Sequence, residues 1–409
     1  MHGATPSPRG HRPTLVAAFL HFDLSFMLWV LLGALGVYIA ESAGLSPAQK
    51  GVVVATPLLS GALLRIPLGL LSDRFGSKPV GAGMLAFLGV PLLLGWLAGD
   101  DLPALLGIGL LLGTAGASFA VALPLASRWY PAERQGLVMG IAAAGNSGTV
   151  LANLIAPRLA EAVGWHNVLG LALLPLAVVL AAFLVLARES PHRPAGRPVR
   201  HYLTVLRQPD VWWFCGLYGV TFGGYVGLSS FLPLFFRDQY HVAPVTAGHL
   251  TAAAALVGSL VRPVGGYLAD RLGGVRVLSA LLAGVTAAYL AAAHLPPLDL
   301  MTGVVMFAMA CLGLGNGSVF QLVPQRFREE IGMATGVVGA LGGIGGFILP
   351  TLLGQIKQSS GSFGPGFLAL GAVAGGALLA LRSLVAARQG WRRSWAAESA
   401  ADDGIRRAA

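Results

Sequence analysis

Charged side chains are scarce in this sequence. Asp, Glu, Lys and Arg make up 11% of its 409 residues, whereas soluble domains carry roughly 25%. Hydrophobic residues make up 55%, and the mean hydropathy is +0.73. So few charges cannot cover a water-exposed surface, and most of the chain must therefore face lipid or other apolar helices. This composition excludes an ordinary soluble protein.

Cysteine is equally scarce. Cys215 and Cys311 are the only two, and both lie in apolar runs, where cysteine behaves as a small buried hydrophobe. A disulfide-stapled exported domain is therefore excluded. The sequence also contains no metal-ligand cluster, no phosphate-binding loop and no nucleophile–base pair. We therefore expect neither an enzyme nor a bound cofactor or metal.

Long apolar stretches fill most of the chain. A helix needs on the order of 20 apolar residues to cross a bilayer, and the sequence accommodates twelve such stretches. They lie at 15–40, 50–71, 79–98, 103–127, 136–160, 165–187, 211–236, 245–269, 276–294, 300–322, 331–357 and 363–386. We therefore predict an all-α membrane protein with twelve transmembrane helices in the lipid bilayer.

The net charge of +10 could suggest a nucleic-acid partner, but the positions of the 27 Lys and Arg residues argue against one. If the N-terminus is cytoplasmic, 21 of them lie on the cytoplasmic side and two, Arg65 and Arg262, lie within spans. The remaining four lie outside: Lys50, Arg158, Arg237 and Lys357. This is a strong positive-inside bias. It predicts a multi-pass inner-membrane protein with both termini in the cytoplasm.

The two halves of the chain repeat each other. RIPLGLLSDRFG from Arg65 and RPVGGYLADRLG from Arg262 share six identities in twelve positions, and each lies in the second span of its half. Parallel six-span repeats are typical of secondary transporters that bind substrate between the halves. We predict an N-terminal half at 1–187, a cytoplasmic linker at 188–210 and a C-terminal half at 211–409. The repeated G-x-x-x-D-R-x-G element resembles the loop signature of the major facilitator superfamily, and we interpret it as a structural latch.

The repeated arginines are the strongest functional signal. Arg65 and Arg262 each precede the Asp at the cytoplasmic helix end by eight residues, which places them about 12 Å into the bilayer. A cation at that depth is costly and marks a functional path. Of the 17 acidic residues, only Asp23 lies inside a span, toward its cytoplasmic end. Two unpaired guanidinium forks facing each other predict a site for a small oxyanion.

Other residues are candidates for the lining of this site. Tyr218 and Phe222 are four residues apart and share a helical face, which suits either helix packing or an aromatic wall. Asn146 and Asn316 are flanked by glycine, and their amides can donate to an anion without adding charge. Asp23, beside His21 in the sequence, is a candidate for proton coupling or for a residue of the cytoplasmic gate.

These features resemble the nitrate/nitrite porter family of the major facilitator superfamily. The most specific element is LGLGNGSVFQLVP, at 312–324, and the resemblance extends from about His21 to Gly354. It departs from many members at Ser118, where they carry Asn. The resemblance implies the major facilitator fold, nitrate and nitrite as substrates, and Arg65 and Arg262 as the residues that grip the anion.

The resemblance also assigns supporting roles around the arginines. It implies that Tyr218 donates a hydrogen bond, that Phe119 and Phe222 sandwich the planar ion, and that Asn146 lies in the pocket. We expect the chain to work as a monomer. Nitrate/nitrite antiport and proton-coupled uptake both remain open. A transporter of small organic anions such as formate or oxalate is the first alternative, and a nitrate sensor that does not transport is the second.

Overall fold

A computed structural model describes residues 10–97, 101–130, 138, 141–142, 144–191, 204–327 and 331–395. Throughout these residues the regular structure is helical. Ten helices in them are long and apolar enough to cross a membrane. The prediction of an all-α fold is therefore confirmed for the described residues, and the ten helices agree with the predicted membrane location.

The helices follow the predicted spans closely. The first span, α1, consists of three consecutive segments, Arg12–Trp29, Leu31–Ala34 and Gly36–Ser42. The others are α2 (Pro47–Phe75), α3 (Ser77–Leu97), α4 (Leu102–Ser127), α5 (Gly148–Val163), α6 (Trp165–Leu186), α7 (Pro209–Tyr240), α8 (Pro244–Leu272), α9 (Gly274–Ala293), α10 (Leu298–Arg326), α11 (Ile331–Ser360), α12 (Gly364–Ala387) and the short α13 (Gln389–Arg393).

Two predicted spans are not among the ten. The α1 span is interrupted at Val30 and Leu35, and its longest segment, Arg12–Trp29, has 18 residues and begins with the polar residues Arg12, Pro13 and Thr14. The span predicted at 136–160 lies partly outside the described residues, and α5 supplies its second part. The boundaries 1–187, 188–210 and 211–409 remain a prediction, because residues 192–203 of the linker are also outside the described part.

The repeated element ends α2 and α8 in the same way. Gly76 and Gly273 cap these helices with φ values of 112° and 91°, a region of backbone conformation that favours glycine. Beside the first of them, Asp73 accepts a hydrogen bond from Arg128 Nη2 at 2.7 Å, which ties α2 to α4. This ion pair is consistent with the latch interpretation of the element.

The two halves meet along α2 with α11 and α5 with α8. We call the end of the bundle where residues 188–210 join α6 to α7 the linker end, and the opposite end the distal end. At the distal end two ion pairs join the halves. Lys50 Nζ lies 2.8 Å from Asp238 Oδ2, and Arg237 Nη2 lies 2.9 Å from Glu41 Oε1. These contacts close the distal end of the interface between the halves.

The outer faces of the bundle are apolar. On α6, Val178 and Val185 are 68% and 76% exposed, and on α12 Leu379 is 71% exposed. Large apolar side chains in contiguous exposed patches indicate contact with lipid rather than water. The lipid-facing surface therefore includes α6 and α12, and the helices that meet between the halves position the central site.

Candidate functional site

Arg65 lies at the centre of the bundle and is 3% exposed. Its Nε donates to the Gly116 carbonyl of α4 at 2.9 Å, and its Nη1 donates to the Gly339 carbonyl of α11. The first bond stays within the N-terminal half, whereas the second crosses to the C-terminal half. Its Nη2 is buried and has no hydrogen-bond partner among the described residues. The two N–H groups of Nη2 are therefore available to a ligand.

Three aromatic rings surround the Arg65 guanidinium. Its Cζ lies 5.3 Å from the ring centroid of Trp29, 5.6 Å from that of Phe119 and 5.0 Å from that of Phe222. Aromatic faces attract a cation through their quadrupole, which offsets part of the cost of burying the charge. Phe119 and Phe222 come from different halves of the chain, and the structure brings both to Arg65.

Arg262 lies at a break in α8. The helix turns at Val261, and a second segment, Arg262–Leu272, begins there. Pro263 follows directly and has no N–H to continue the hydrogen-bond ladder. Arg262 is half-buried. Its Nη2 lies 3.5 Å from the Tyr218 hydroxyl, and its Cζ lies 5.9 Å from the centroid of Phe320.

Phe320 connects the surroundings of the two arginines. Its ring makes an edge contact with Tyr218 at 4.8 Å between centroids, and it lies 5.9 Å from Phe119. The sequence reasoning missed both Phe320 and Trp29. A signal for Phe320 existed, because it follows Asn316 by four residues in LGLGNGSVFQLVP and so shares its helical face.

Tyr218 and Phe222 stack directly on one another. Their centroids are 4.9 Å apart and their planes differ by 2°, and the intervening turn of α7, Gly219–Gly223, is a π-helix. An ion between two rings needs two van der Waals contacts of about 3.5–4 Å each, so no ion fits between these two. Tyr218 and Phe222 therefore pack against each other. A planar anion that stacks on Phe222 must have a ring other than that of Tyr218 on its opposite face.

Asn146 and Asn316 are both buried, at 3% and 2% exposure. The amide oxygen of each has no hydrogen-bond partner among the described residues. Asn316 lies level with Arg262, because the adjacent Gly317 packs against the Arg262 carbonyl. Asn146 lies level with Asp23 of α1, because Gly145 packs against the Asp23 backbone. Both amides retain unused hydrogen-bonding capacity.

Asp23 and His21 contact different helices although they are close in sequence. Asp23 is half-buried and accepts a hydrogen bond from Ser147 Oγ at 2.5 Å. The His21 ring is fully buried, with Nε2 3.2 Å from the Gly81 carbonyl and its centroid 5.0 Å from that of Phe183. Asp23 therefore faces α5, while His21 belongs to the packing of α3 and α6.

No ion pair among the described residues includes Arg65 or Arg262. Within the same residues there is also no group of His, Cys, Asp and Glu that could hold a metal. The surroundings of Arg65 and Arg262 therefore combine two cations with aromatic rings. Their chemistry suits reversible binding of a small anion.

Comparison with known proteins agrees with this architecture. The family model described as Major Facilitator Superfamily matches residues 17–350. A bacterial homologue of the human lysosomal transporter Spinster, in an inward-facing and occupied conformation, superposes with a TM-score of 0.66. It has 20% sequence identity and covers 96% of this chain and 97% of its own. The family match and the fold thus define a secondary transporter of that superfamily.

Relatives identify the family more narrowly. The nitrite extrusion protein of Bacillus subtilis is 36% identical over 85% of this chain and 88% of its own length. The probable nitrate/nitrite transporter NarK2 of Mycobacterium tuberculosis is also 36% identical, over 85% and 89%. The probable nitrate/nitrite antiporter NarK1 of Thermus thermophilus is 34% identical over 84% of both chains. This chain belongs to the nitrate/nitrite porter family and is a transporter rather than an enzyme.

Proposed function

We propose that this protein carries nitrate and nitrite across the cytoplasmic membrane by alternating access, with the anion held between Arg65 and Arg262. The observation that carries the proposal is the Nη2 of Arg65, a buried cationic donor with no partner among the described residues. Arg262 occupies the equivalent position of the other repeat. The names of the relatives support the choice of substrate.

The proposed binding mode assigns a role to each candidate residue. Nη2 of Arg65 and the second N–H of its Nη1 meet two oxygens of the planar anion, as guanidinium does with other oxyanions. Arg262 and the Tyr218 hydroxyl donate from the C-terminal half, and Phe119 and Phe222 form the walls. Asn146 and Asn316 supply uncharged donors. All seven residues belong to one chain, which supports function as a monomer.

Exchange would follow from the charge of the site. Without an anion, two cations at the interface of the halves repel each other in a medium of low dielectric constant. The bound anion offsets that repulsion and lets the halves close around it. We therefore favour nitrate/nitrite antiport, with proton-coupled uptake as the alternative mode.

Counterflow in proteoliposomes tests the substrate assignment. Vesicles loaded with nitrate should take up external nitrate and nitrite, and should reject formate and chloride, with or without a pH gradient. Faster exchange of formate than of nitrate would support the organic-anion alternative. Saturable nitrate binding without any flux would indicate the sensor.

Topology provides a second test. The Lys and Arg distribution predicts that both termini and the 188–210 linker are cytoplasmic. A single cysteine introduced into that linker, in a background without Cys215 and Cys311, should react with an impermeant maleimide only in inverted vesicles. A cysteine at Ser359, at the distal end of α11, is the matched control and should react in intact cells. The reverse pattern would reject this orientation.

Asp23 provides a test of proton coupling. Its carboxylate accepts from Ser147 at the contact of α1 with α5, so its protonation would loosen that contact. If transport is proton-coupled through Asp23, Asp23→Asn should abolish the pH dependence of nitrate flux between about pH 5.5 and 8.5 while exchange persists. A parent protein whose flux does not vary over this range would exclude coupling through Asp23.

A further inference from the structure

A second basic site lies on the outer surface of the C-terminal half, on helices that do not take part in the interface between the halves. It is a groove of about 430 Å³ between the linker ends of α9 and α12. Arg276 of α9 and Arg382 of α12 both border it, and both side chains are exposed, while the surface that lines the groove is almost entirely apolar. Neither arginine pairs with a carboxylate among the described residues.

The remaining walls of the groove are apolar or aromatic. Leu378 and Leu379 of α12 form one wall, and Leu379 is among the most exposed apolar side chains described. Trp395 lies at the linker end of the groove, with its ring 4.7 Å from Arg382 Cζ. The Val275 N–H donates to the Ser394 carbonyl at 3.2 Å, which fastens Trp395 to the start of α9.

The depth of the arginines matches a lipid headgroup. Arg276 is two residues from the start of α9, and Arg382 is five residues from the end of α12. At 1.5 Å per residue, each arginine lies within about 8 Å of the linker end of its own helix. Trp at such a level is typical of the membrane–water interface. The two cations therefore lie above an apolar surface that faces acyl chains.

We propose that this groove binds an anionic phospholipid, with the phosphodiester between Arg276 and Arg382 and an acyl chain along Leu378 and Leu379. Basic pockets between transmembrane helices bind such headgroups, and guanidinium donates to two phosphate oxygens at once. Ser279 also lines the groove, but its hydroxyl donates to the Val275 carbonyl at 2.7 Å. The headgroup is therefore held by charge rather than by a network of hydroxyl groups.

The corresponding place in the N-terminal half differs and provides a control. There Lys78, at the start of α3, donates through Nζ to the Leu184 carbonyl of α6 at 2.9 Å. The carboxylate of Glu189 accepts a hydrogen bond from the Lys78 backbone N–H and places a negative charge beside Lys78. A headgroup anion is consequently favoured in the C-terminal half only.

Quenching of Trp395 by brominated lipids tests the proposal. The full-length protein is reconstituted in phosphatidylcholine with a small fraction of brominated phosphatidylglycerol or brominated phosphatidylcholine. The Trp395 signal is obtained by subtracting the fluorescence of the matching Trp395→Phe protein. Brominated phosphatidylglycerol should quench this signal about threefold more than brominated phosphatidylcholine at equal fraction, because Arg276 and Arg382 attract the net negative charge of its headgroup. Arg276→Gln/Arg382→Gln should remove the preference, and Lys78→Gln should retain it.

Several results would contradict the proposed lipid-binding site. Equal quenching by the two lipids would mean an apolar groove without headgroup selection. A preference that survives Arg276→Gln/Arg382→Gln would place the headgroup elsewhere. Loss of the preference on adding inorganic phosphate would indicate a free-anion site, and a preference that arises only after deletion of residues 396–409 would assign the groove to that tail.

Discussion

Arg65→Lys is expected to reduce nitrate counterflow by about 100-fold while the protein remains folded and inserted. Lysine keeps the charge but has one nitrogen in place of a planar fork. It cannot reach the Gly116 carbonyl of α4, the Gly339 carbonyl of α11 and an anion at the same time. Each hydrogen bond to a charged group is worth about 1.5–3 kcal/mol, and 1.4 kcal/mol is tenfold, so loss of one or two bonds accounts for the reduction. Initial rates of nitrate counterflow in proteoliposomes measure the effect.

The control and the partner variant sharpen this experiment. Arg158→Lys changes an exposed arginine of α5 and should leave counterflow within about twofold of the parent, since surface charges contribute little. Arg262→Lys should also impair transport. Among the described residues, Arg262 hydrogen-bonds only to the Tyr218 hydroxyl, so the rest of its guanidinium fork is expected to bind the anion. Near-normal exchange by Arg65→Lys would show that charge alone suffices, and recognition of two oxygens by a fork would be wrong.

Arg65 and Arg262 show how much of the site the sequence alone predicts. Hydropathy predicted most of the helices, the repeat placed Arg65 and Arg262 inside spans, and the resemblance carried by LGLGNGSVFQLVP indicated the family. Hydropathy and the repeat can both be read directly from the sequence. A charged residue within an apolar span is also evident from the sequence, without coordinates. The contact of Arg65 with the Gly339 carbonyl was not predictable, because it depends on how closely α2 approaches α11.

The aromatic surroundings show a similar limit. Tyr218 and Phe222 were recognised as sharing a face, but their direct stacking reflects ring orientations and the π-helical turn between them, which spacing does not determine. Trp29 and Phe320 were missed because an apolar span contains many aromatic residues and only the packing selects those beside a cation. The interruption of α1 was also missed, since neither Val30 nor Leu35 is a helix-breaking residue type.

Close packing of α10 against α8 holds Arg262 in place. The backbone of Gly313 in α10 packs closely against the Gly258 carbonyl, and the backbone of Gly317 packs closely against the Arg262 carbonyl. Ser318, next in the chain, donates to the Gly265 carbonyl at 3.2 Å. Glycine lets two membrane helices approach this closely. A methyl group at Gly317 would overlap the Arg262 carbonyl oxygen and push the break in α8 away from α10.

Gly317→Ala should therefore reduce nitrate counterflow at least tenfold and lower the thermal stability of the purified protein. Overpacking costs about 1–3 kcal/mol, and misplacement of a site residue by about 1 Å reduces rates on the order of 100-fold. Gly303→Ala is the matched control, because it lies in the same helix with no atom within 4 Å of the added methyl group. It should leave transport unchanged and should not destabilise the protein, since alanine favours the helix over glycine. Transport by Gly317→Ala at the rate of Gly303→Ala would mean that the contact of α10 with Arg262 does not position the arginine.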